Sequence, residues 1–451
     1  MTEIDSLKQT NSVENKSQQL ANLIVQSKAS EHAELLPLAK LSLIDYLAAV
    51  LGGCKTTAVQ KVIQTLALPV QKLPVFGAEI NQNFECSAFV NGFAGHYLDI
   101  DDTHADLRGH PSAVIDGALF AVSTGKETLN QFLWATVIGI EVAAQFGTIL
   151  NPKLAQKGIH TTGAIGAISA AAAIAVYKKL TCAQTQQLLS IAATQAFALE
   201  IQAGSDTKPL NAGFAARNAV SAWQWCQAGL SANEDVFSGA RGWFRVIGDV
   251  DFELHKIAQQ WLRPGKIKAP GMWYKSQPFC SAAMAGYDAA RILYQRGFSL
   301  ENCLEISLNF PKNGDRPLRF TAPRTGQEGK FSIEYIVWQV LKYGKPTKTA
   351  FDNQPVPAEF KHALSKFKRH HSLIAKDWHD RPIEITITTQ TNAVISVRVD
   401  QPKGAPKNAL NLDEVIEKLQ IQVMTDSRYL KQTLQNPKLT MEALIQIVRS
   451  A

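Results

Sequence analysis

The sequence predicts a mainly α fold: a large all-helical domain joined to a smaller α+β lid domain. Three observations predict it. From about residue 16 to 262 the apolar residues recur at helical spacing, with no strand pattern of convincing length. After Arg263-Pro264-Gly265 the pattern changes to strict alternation in three short runs. Helical spacing then returns from about residue 412, so the tail is expected to pack back on the first domain and leave the α+β part as an insertion or lid. At 451 residues the chain exceeds the usual size of one hydrophobic core. The expected division is 1–269 for the helical domain, 270–404 for the α+β lid and 405–451 for the returning helices.

Taken in order, Leu43, Leu47, Val50 and Leu51 share one stripe of a core helix, and Gly52-Gly53 is expected to stop it. Helical segments follow at roughly 85–98, 112–124, 128–148, 162–178, 183–200, 211–229 and 252–263. Lys126-Glu127-Thr128 supplies an N-cap ahead of the third of these. The most apolar stretch, Thr162 to Tyr177, is short for a bilayer span and reads as a buried core helix. Glu305–Phe310, Ile383–Thr388 and Val394–Val399 alternate apolar and polar, as half-buried strands do. Helical segments near 283–296 and 332–343 complete the second domain. Leu412–Met424 and Met441–Val448 form the tail.

Composition narrows the function. Only 19% of residues are charged and 46% are apolar, as in a globular protein. Met1 to Leu20 is polar and lacks an apolar signal core, so no signal peptide is expected. The six cysteines lie far apart with no C-x-x-C pair, which fits reduced thiols in a cytoplasmic protein and no structural zinc. A net charge of +7 is modest for this length. It is either diffuse or gathered around a small anion. The longest basic run, Lys366-Phe-Lys-Arg-His-His371, is expected to be a solvated face, and neither nucleic acid nor membrane is an expected partner. Nucleotide binding has no motif to support it, since neither G-x-x-x-x-G-K-[ST] nor G-x-G-x-x-G after a strand occurs.

Chemistry concentrates in four places. His96 to His110 holds three histidines and four aspartates in fifteen residues. Such a density of groups that change or share charge near neutral pH suits proton transfer or metal binding. His96 and Asp99 are expected one turn apart on a helix face. Asp101, Asp102 and Thr103 then leave the helix, and His110 precedes Pro111 in an extended conformation. His104 and Asp106 are expected to be structural. No His-x-His or H-E-x-x-H spacing supports a metal site. Second, Gly158-Ile-His160-Thr161-Thr162-Gly163 places a histidine at a helix start, where the dipole favours the neutral ring and proton acceptance. Third, Lys208 before Pro209 is expected outside the helix, in a Gly-rich turn where a lysine can meet an anion. Fourth, Trp273-Tyr274-Lys275 through Cys280 lies at the domain junction, where ligands commonly bind.

Together these motifs resemble the MmgE/PrpD family. The resemblance rests on N-G-x-x-G-H-x-L-D-x-D-D-T-H with H-P-S, on H-T-T-G before an alanine-rich helix, on T-K-P-L-x-A-G-x-A-A-R-N, and on Gly239-Ala-Arg241-Gly242. Thr325 to Tyr335 looks like the family's lid-helix start. It runs in order over about residues 20 to 450. The resemblance implies a helical main domain, an α+β lid, a homodimer, and acid–base chemistry on a small polycarboxylate without metal or organic cofactor. By position it implies His110, His160, Asp99, Thr103 and Lys208 as catalytic residues. Lys275, Arg217, Arg241 and Cys280 are the expected substrate-binding residues. Two departures stand out: Cys280 where family members have a histidine or a cysteine, and Met284 where many have a second histidine. The expected activity is a lyase reaction, dehydration or decarboxylation, that begins with charge on a carbon next to a carboxylate. An epimerisation on the same scaffold and a non-catalytic polycarboxylate binder are the alternatives.

Overall fold

The computed structural model describes residues 15–69, 73–377, 379–423, 427–436 and 438–449. Most of the polar N-terminal segment and the expected helix end at Met424 lie outside them. Among the described residues the fold is mainly α with two small sheets. Two hydrophobic clusters form, one running from Leu20 to Tyr274 and resuming at Leu410, the other from Trp273 to Ala405.

The first cluster is built from α1 (Lys16–Gln26), α2 (Leu36–Cys54), α3 (Phe84–Tyr97), α4 (Pro111–Val122), α5 (Leu129–Leu150), α6 (Gly166–Tyr177), α7 (Cys182–Thr194) and α8 (Thr207–Gln227). Local signals set several ends. Thr128 caps α5 in a capping box with Gln131, and Thr181 caps α7 with Gln184 in the same way. Pro111 opens α4 at a position where a missing N–H costs nothing. The α2 helix does not stop at Gly52-Gly53 but runs through to Cys54. These glycines serve close approach instead, since a Cβ on Gly53 would lie 2.0 Å from the Ala94 carbonyl oxygen on α3. Two helices, Ala33–Cys54 and Leu129–Leu150, are long and apolar enough to cross a bilayer, yet 72% and 89% of their apolar windows are buried inside the protein. They are core helices.

The second cluster packs α9 (Met284–Gln295) and α10 (Ile333–Tyr343) on a four-stranded sheet. Its order is β4-β3-β5-β6, with β3 (Cys303–Pro311), β4 (Phe367–Leu373), β5 (Ile383–Thr389) and β6 (Val394–Val399). β3 pairs antiparallel with β5 and parallel with β4. The basic run Lys366–His371 is therefore an edge strand, not merely a solvated face. Its outward Lys368 and His370 discourage further strand pairing, while Arg369 turns inward to Glu334 and Asp315 at 2.6 and 3.0 Å. β1 (Thr103–His104) and β2 (Met272–Trp273) form a separate two-stranded pairing, Thr103 opposite Trp273, that ties the aspartate-rich loop to the start of the α+β unit.

In the tail, α11 (Leu412–Gln420) contributes Val415, Ile416 and Leu419 to the first cluster. From α11, Lys418 Nζ reaches the buried Asp45 of α2 at 2.6 Å and the Ile100 carbonyl oxygen.

Candidate active site

Small residues bring the site together. Gly92 on α3 faces α8 so closely that a Cβ there would lie 2.8 Å from the Ala212 carbonyl oxygen. That contact sets the first turn of α8 beside the last turn of α3. Lys208 is helical, at the second position of α8, not in a preceding turn. Pro209 is tolerated because its N–H would be unbonded in the first turn anyway. Lys208 Nζ donates to His96 Nε2 and to Asp99 Oδ1, each at 3.0 Å.

Asp99 sits just past the end of α3 with φ +60°, a left-handed conformation that aspartate tolerates better than most residues. Its Oδ1 also accepts from Lys275 Nζ at 3.0 Å and lies 3.5 Å from His110 Nε2. Burial pushes the Asp99 carboxyl up, but Lys208 and Lys275 outweigh it and hold it well below the usual range. Lys275 is wholly buried behind Asp99, so it anchors the carboxylate and does not face the cavity. Asp101 Oδ2 accepts from His96 Nδ1 at 2.8 Å and lies 3.2 Å from His110 Nδ1.

These contacts fix protons. An ammonium only donates and a carboxylate only accepts, so His96 carries its hydrogen on Nδ1 and offers Nε2 to Lys208. At His160, Asn211 Nδ2 donates to the Leu199 carbonyl oxygen at 3.3 Å and to His160 Nδ1 at 3.0 Å. His160 Nδ1 is thus an acceptor, and the hydrogen of the neutral ring resides on Nε2. His160 is poised to donate, contrary to the acceptor role its place at a helix start implied. Burial lowers His96, His110 and His160, aided in each by the positive charge of Lys208. His110 falls to about 3. All three rings are neutral near pH 7, and they lie close together: centroids are 4.3 Å apart for His96–His110 and 5.8 Å for His96–His160.

A cavity of about 530 Å³ opens over this cluster, between the helical core and the α+β unit. Asp99, Thr103, His110, His160, Lys208 and Cys280 line it. Thr103 is held there by the β1–β2 pairing. Burial, then the charge of Asp99, raises the Cys280 thiol, so it remains protonated. Lys208 Nζ lies 5.3 Å from the Phe331 ring centroid, and neighbouring Lys330 donates to the Tyr97 carbonyl oxygen at 3.2 Å. Burial lowers Lys330 to about 8.

Arg217 and Arg241 are not brought to the site. Arg217 is exposed on α8 against the Phe214 ring, and Arg241 is exposed in the loop before Trp243. Periodicity explains the first: Arg217 lies nine residues after Lys208, which turns it to another face of the helix. His96, Asp101, Asn211 and Lys330 are site residues that the sequence motifs did not single out as such. His96 and Asp101 stood inside the quoted cluster, and the spacing of His96 five residues before Asp101 was the available signal. His104 and Asp106 do make structural contacts: His104 Nε2 donates to the Lys266 carbonyl oxygen at 3.0 Å, and Asp106 pairs with Lys266 and His379 at 2.9 and 3.0 Å.

His96, Asp99, Asp101 and His110 present donor atoms within 4.8 Å of one another, a grouping that metal ions use. Here two ammoniums already supply the counter-charge to those donors. A divalent cation would have to sit beside both, so the donor set suits lysine better than metal.

Cis-aconitate decarboxylase of Mus musculus is 26% identical over 351 residues, 74% of this chain and 70% of that protein. Cis-aconitate decarboxylase of Homo sapiens is 32% identical over 158 residues, 33% of this chain and 32% of that protein. The Aspergillus terreus protein of that name is 27% identical over 222 residues, 47% of this chain and 45% of its own length. The model of the MmgE/PrpD N-terminal domain matches residues 18–255, more than half of the chain and the whole of the His96–Lys208 cluster. The chain belongs to the MmgE/PrpD family.

Proposed function

We propose that this protein is a lyase that acts on a small unsaturated or hydroxylated polycarboxylate, of the kind its decarboxylase relatives are named for. One observation carries the reading: a lysine ammonium, fixed between Asp99 and His96, stands at the floor of a cavity beside His110 and His160, whose rings burial holds neutral. Loss of CO₂, or of an α-proton ahead of water, leaves an electron pair on a carbon next to a carboxylate. Lys208 stabilises that charge without reorganising, because its own partners hold it in place. His160, with its hydrogen on Nε2, returns a proton to carbon or to a leaving hydroxyl. His110, neutral and aimed between Asp99 and Asp101, serves as the base where a C–H bond must break. The chemistry needs no metal or organic cofactor in this scheme.

The α+β unit acts as the lid. Arg316 donates to the Ala155 carbonyl oxygen at 2.6 Å, and Arg319 to Ile201 and Ala203 at 2.6 and 2.7 Å, so the two units meet around the cavity mouth. We further propose a homodimer in the cytoplasm. Phe197, Leu199 and Ile201 are exposed on one segment near the site, at 55%, 47% and 67%, which is costly in water. All six thiols are free. Sedimentation analysis tests the dimer; a monomer at micromolar concentration removes it.

The activity test is incubation with cis-aconitate, citrate, methylcitrate and amino-dicarboxylate analogues, followed by NMR in D₂O. Decarboxylation yields a product one carboxylate shorter and deuterated at carbon. Dehydration yields an unsaturated acid, and epimerisation returns deuterated substrate. No conversion of any of them, with saturable binding intact, replaces the lyase with a binder.

A further inference from the structure

The cavity has a second cationic wall that the chemistry at Lys208 does not use. Arg108 from the loop before His110, Arg316 after β3 and Arg381 before β5 all line it. Arg381 Nη1 donates to Ser281 Oγ at 2.9 Å, and its guanidinium lies 5.9 Å from the Trp273 ring centroid. Arg316 spends one N–H on the Ala155 carbonyl oxygen. Arg108 is placed by its own backbone, whose carbonyl oxygen accepts from Thr161 Oγ1 at 2.8 Å.

None of these three, among the described residues, forms an ion pair with a carboxylate. Neither Asp380 nor Glu200, the acidic groups that share this part of the lining, forms an ion pair with them. Asp380 also lines the cavity but pairs with Lys407 at 3.0 Å and accepts from Gln401. Glu200 is raised by burial and feels Arg316, Arg319 and Lys208 without contacting any of them. Burial lowers Arg108, and the fields of Arg381 and Arg316 lower it further, so Arg108 is repelled by both of its neighbours on this wall. Gathering like charges in a partly desolvated wall is unfavourable unless an anion joins them. Guanidinium forks match the planar oxygens of a carboxylate.

We infer that Arg108, Arg316 and Arg381 form a distal-anion subsite that selects substrates carrying a further carboxylate beyond the one held near Lys208. This rests on the polycarboxylate reading above and makes the three arginines specificity-determining rather than catalytic. A ligand with carboxylates at both ends spans the cavity; one that ends in a methyl group leaves the arginines without a counter-charge.

Cis-aconitate and citraconate form a matched pair of probes, since citraconate has a methyl where cis-aconitate has a carboxymethyl group. Calorimetric titration of the full chain is expected to show cis-aconitate binding ~10-fold or more tightly than citraconate, the scale of one charge-assisted contact. In Arg381→Gln that preference falls to within about twofold through loss of cis-aconitate affinity, while citraconate affinity is unchanged. Arg108→Gln shifts the ratio in the same direction, with circular dichroism as the check that the variant is folded. A preference retained in both variants overturns the subsite, and so does equal weakening of both ligands. If the unsubstituted protein binds neither probe, the polycarboxylate reading falls and the subsite falls with it. Retained binding with an unchanged ratio sinks the subsite alone.

Discussion

One segment, residues 96–110, feeds two clusters of the same composition that behave differently. Around Asp99, two lysines and His110 surround a buried carboxylate, and Asp101 behind it holds His96. Around Asp106, one lysine and one histidine meet a carboxylate at the boundary of the two units, with Lys266 and His379 side chains 13% and 24% exposed. The first cluster is buried under the cavity, with its rings neutral and its carboxylates balanced by ammoniums. The second joins parts that are distant in sequence: Asp106 from the helical core and His379 from the α+β unit. Residue type is therefore no guide to role here. Depth and the identity of the counter-charge decide it.

The largest effect that separates the two clusters is expected at Lys208. Lys208→Met should lower kcat about 10³-fold, the scale of removing one fixed charge-stabilising donor, with near-unchanged circular dichroism because Lys275 still pairs with Asp99. A rate within tenfold of the unsubstituted enzyme would remove the lysine from the chemistry. Next comes Asn211→Ala, which releases the His160 tautomer: kcat should fall about 10²-fold, with a changed pH profile as the mark of lost proton placement. Unaltered profile shape with reduced melting temperature would make Asn211 merely structural.

The Asp106 cluster should respond in stability instead. Asp106→Asn is expected to cost about 1–3 kcal/mol, read by urea unfolding, and to raise KM more than it lowers kcat. If kcat falls as far as in Lys208→Met, the two clusters are one functional unit and the comparison breaks. The smallest effect is in pH. His110 has a folded value of about 3 against 6.5 for a free ring. The folded protein therefore resists a proton that the unfolded chain accepts, and stability declines as pH falls from about 6.5 toward 3. Asp99, held below its usual range, adds to the loss below about 4. Within the surviving folded population the imidazoles remain neutral, so specific activity should persist below pH 6.5 where free histidine would be half protonated. Loss of activity with a midpoint at 6.5 and constant stability would contradict the burial of these rings.

Much of the fold was legible because it is local. Helical periodicity and capping residues such as Thr128 and Thr181 carried the helical core, and alternation carried β3, β5 and β6. The strand Phe367–Leu373 was hidden by its charge: an edge strand keeps lysine and histidine outward, which in sequence looks like a solvated run. Gly52-Gly53 misled because a glycine pair that stops a helix and one that lets two helices touch are the same two letters. The motif residues Asp99, Thr103, His110, His160, Lys208 and Cys280 meet on one cavity. The motifs do not point to Asn211, Lys330, Arg316 or Arg381, each of which is held by a contact more than fifty residues away in sequence. The arginines chosen from motifs, Arg217 and Arg241, carried the right charge on the wrong face.

Lys418 carries a practical consequence. Its ammonium enters the protein from the returning tail and satisfies Asp45, a carboxylate on the far side of the loop that holds Asp101. Trimming the chain after residue 410 to improve expression would strip that partner away and leave an orphan acid in the interior. Engineers should shorten the chain elsewhere, and should treat the helix that carries Lys418 as a foundation of the helical core.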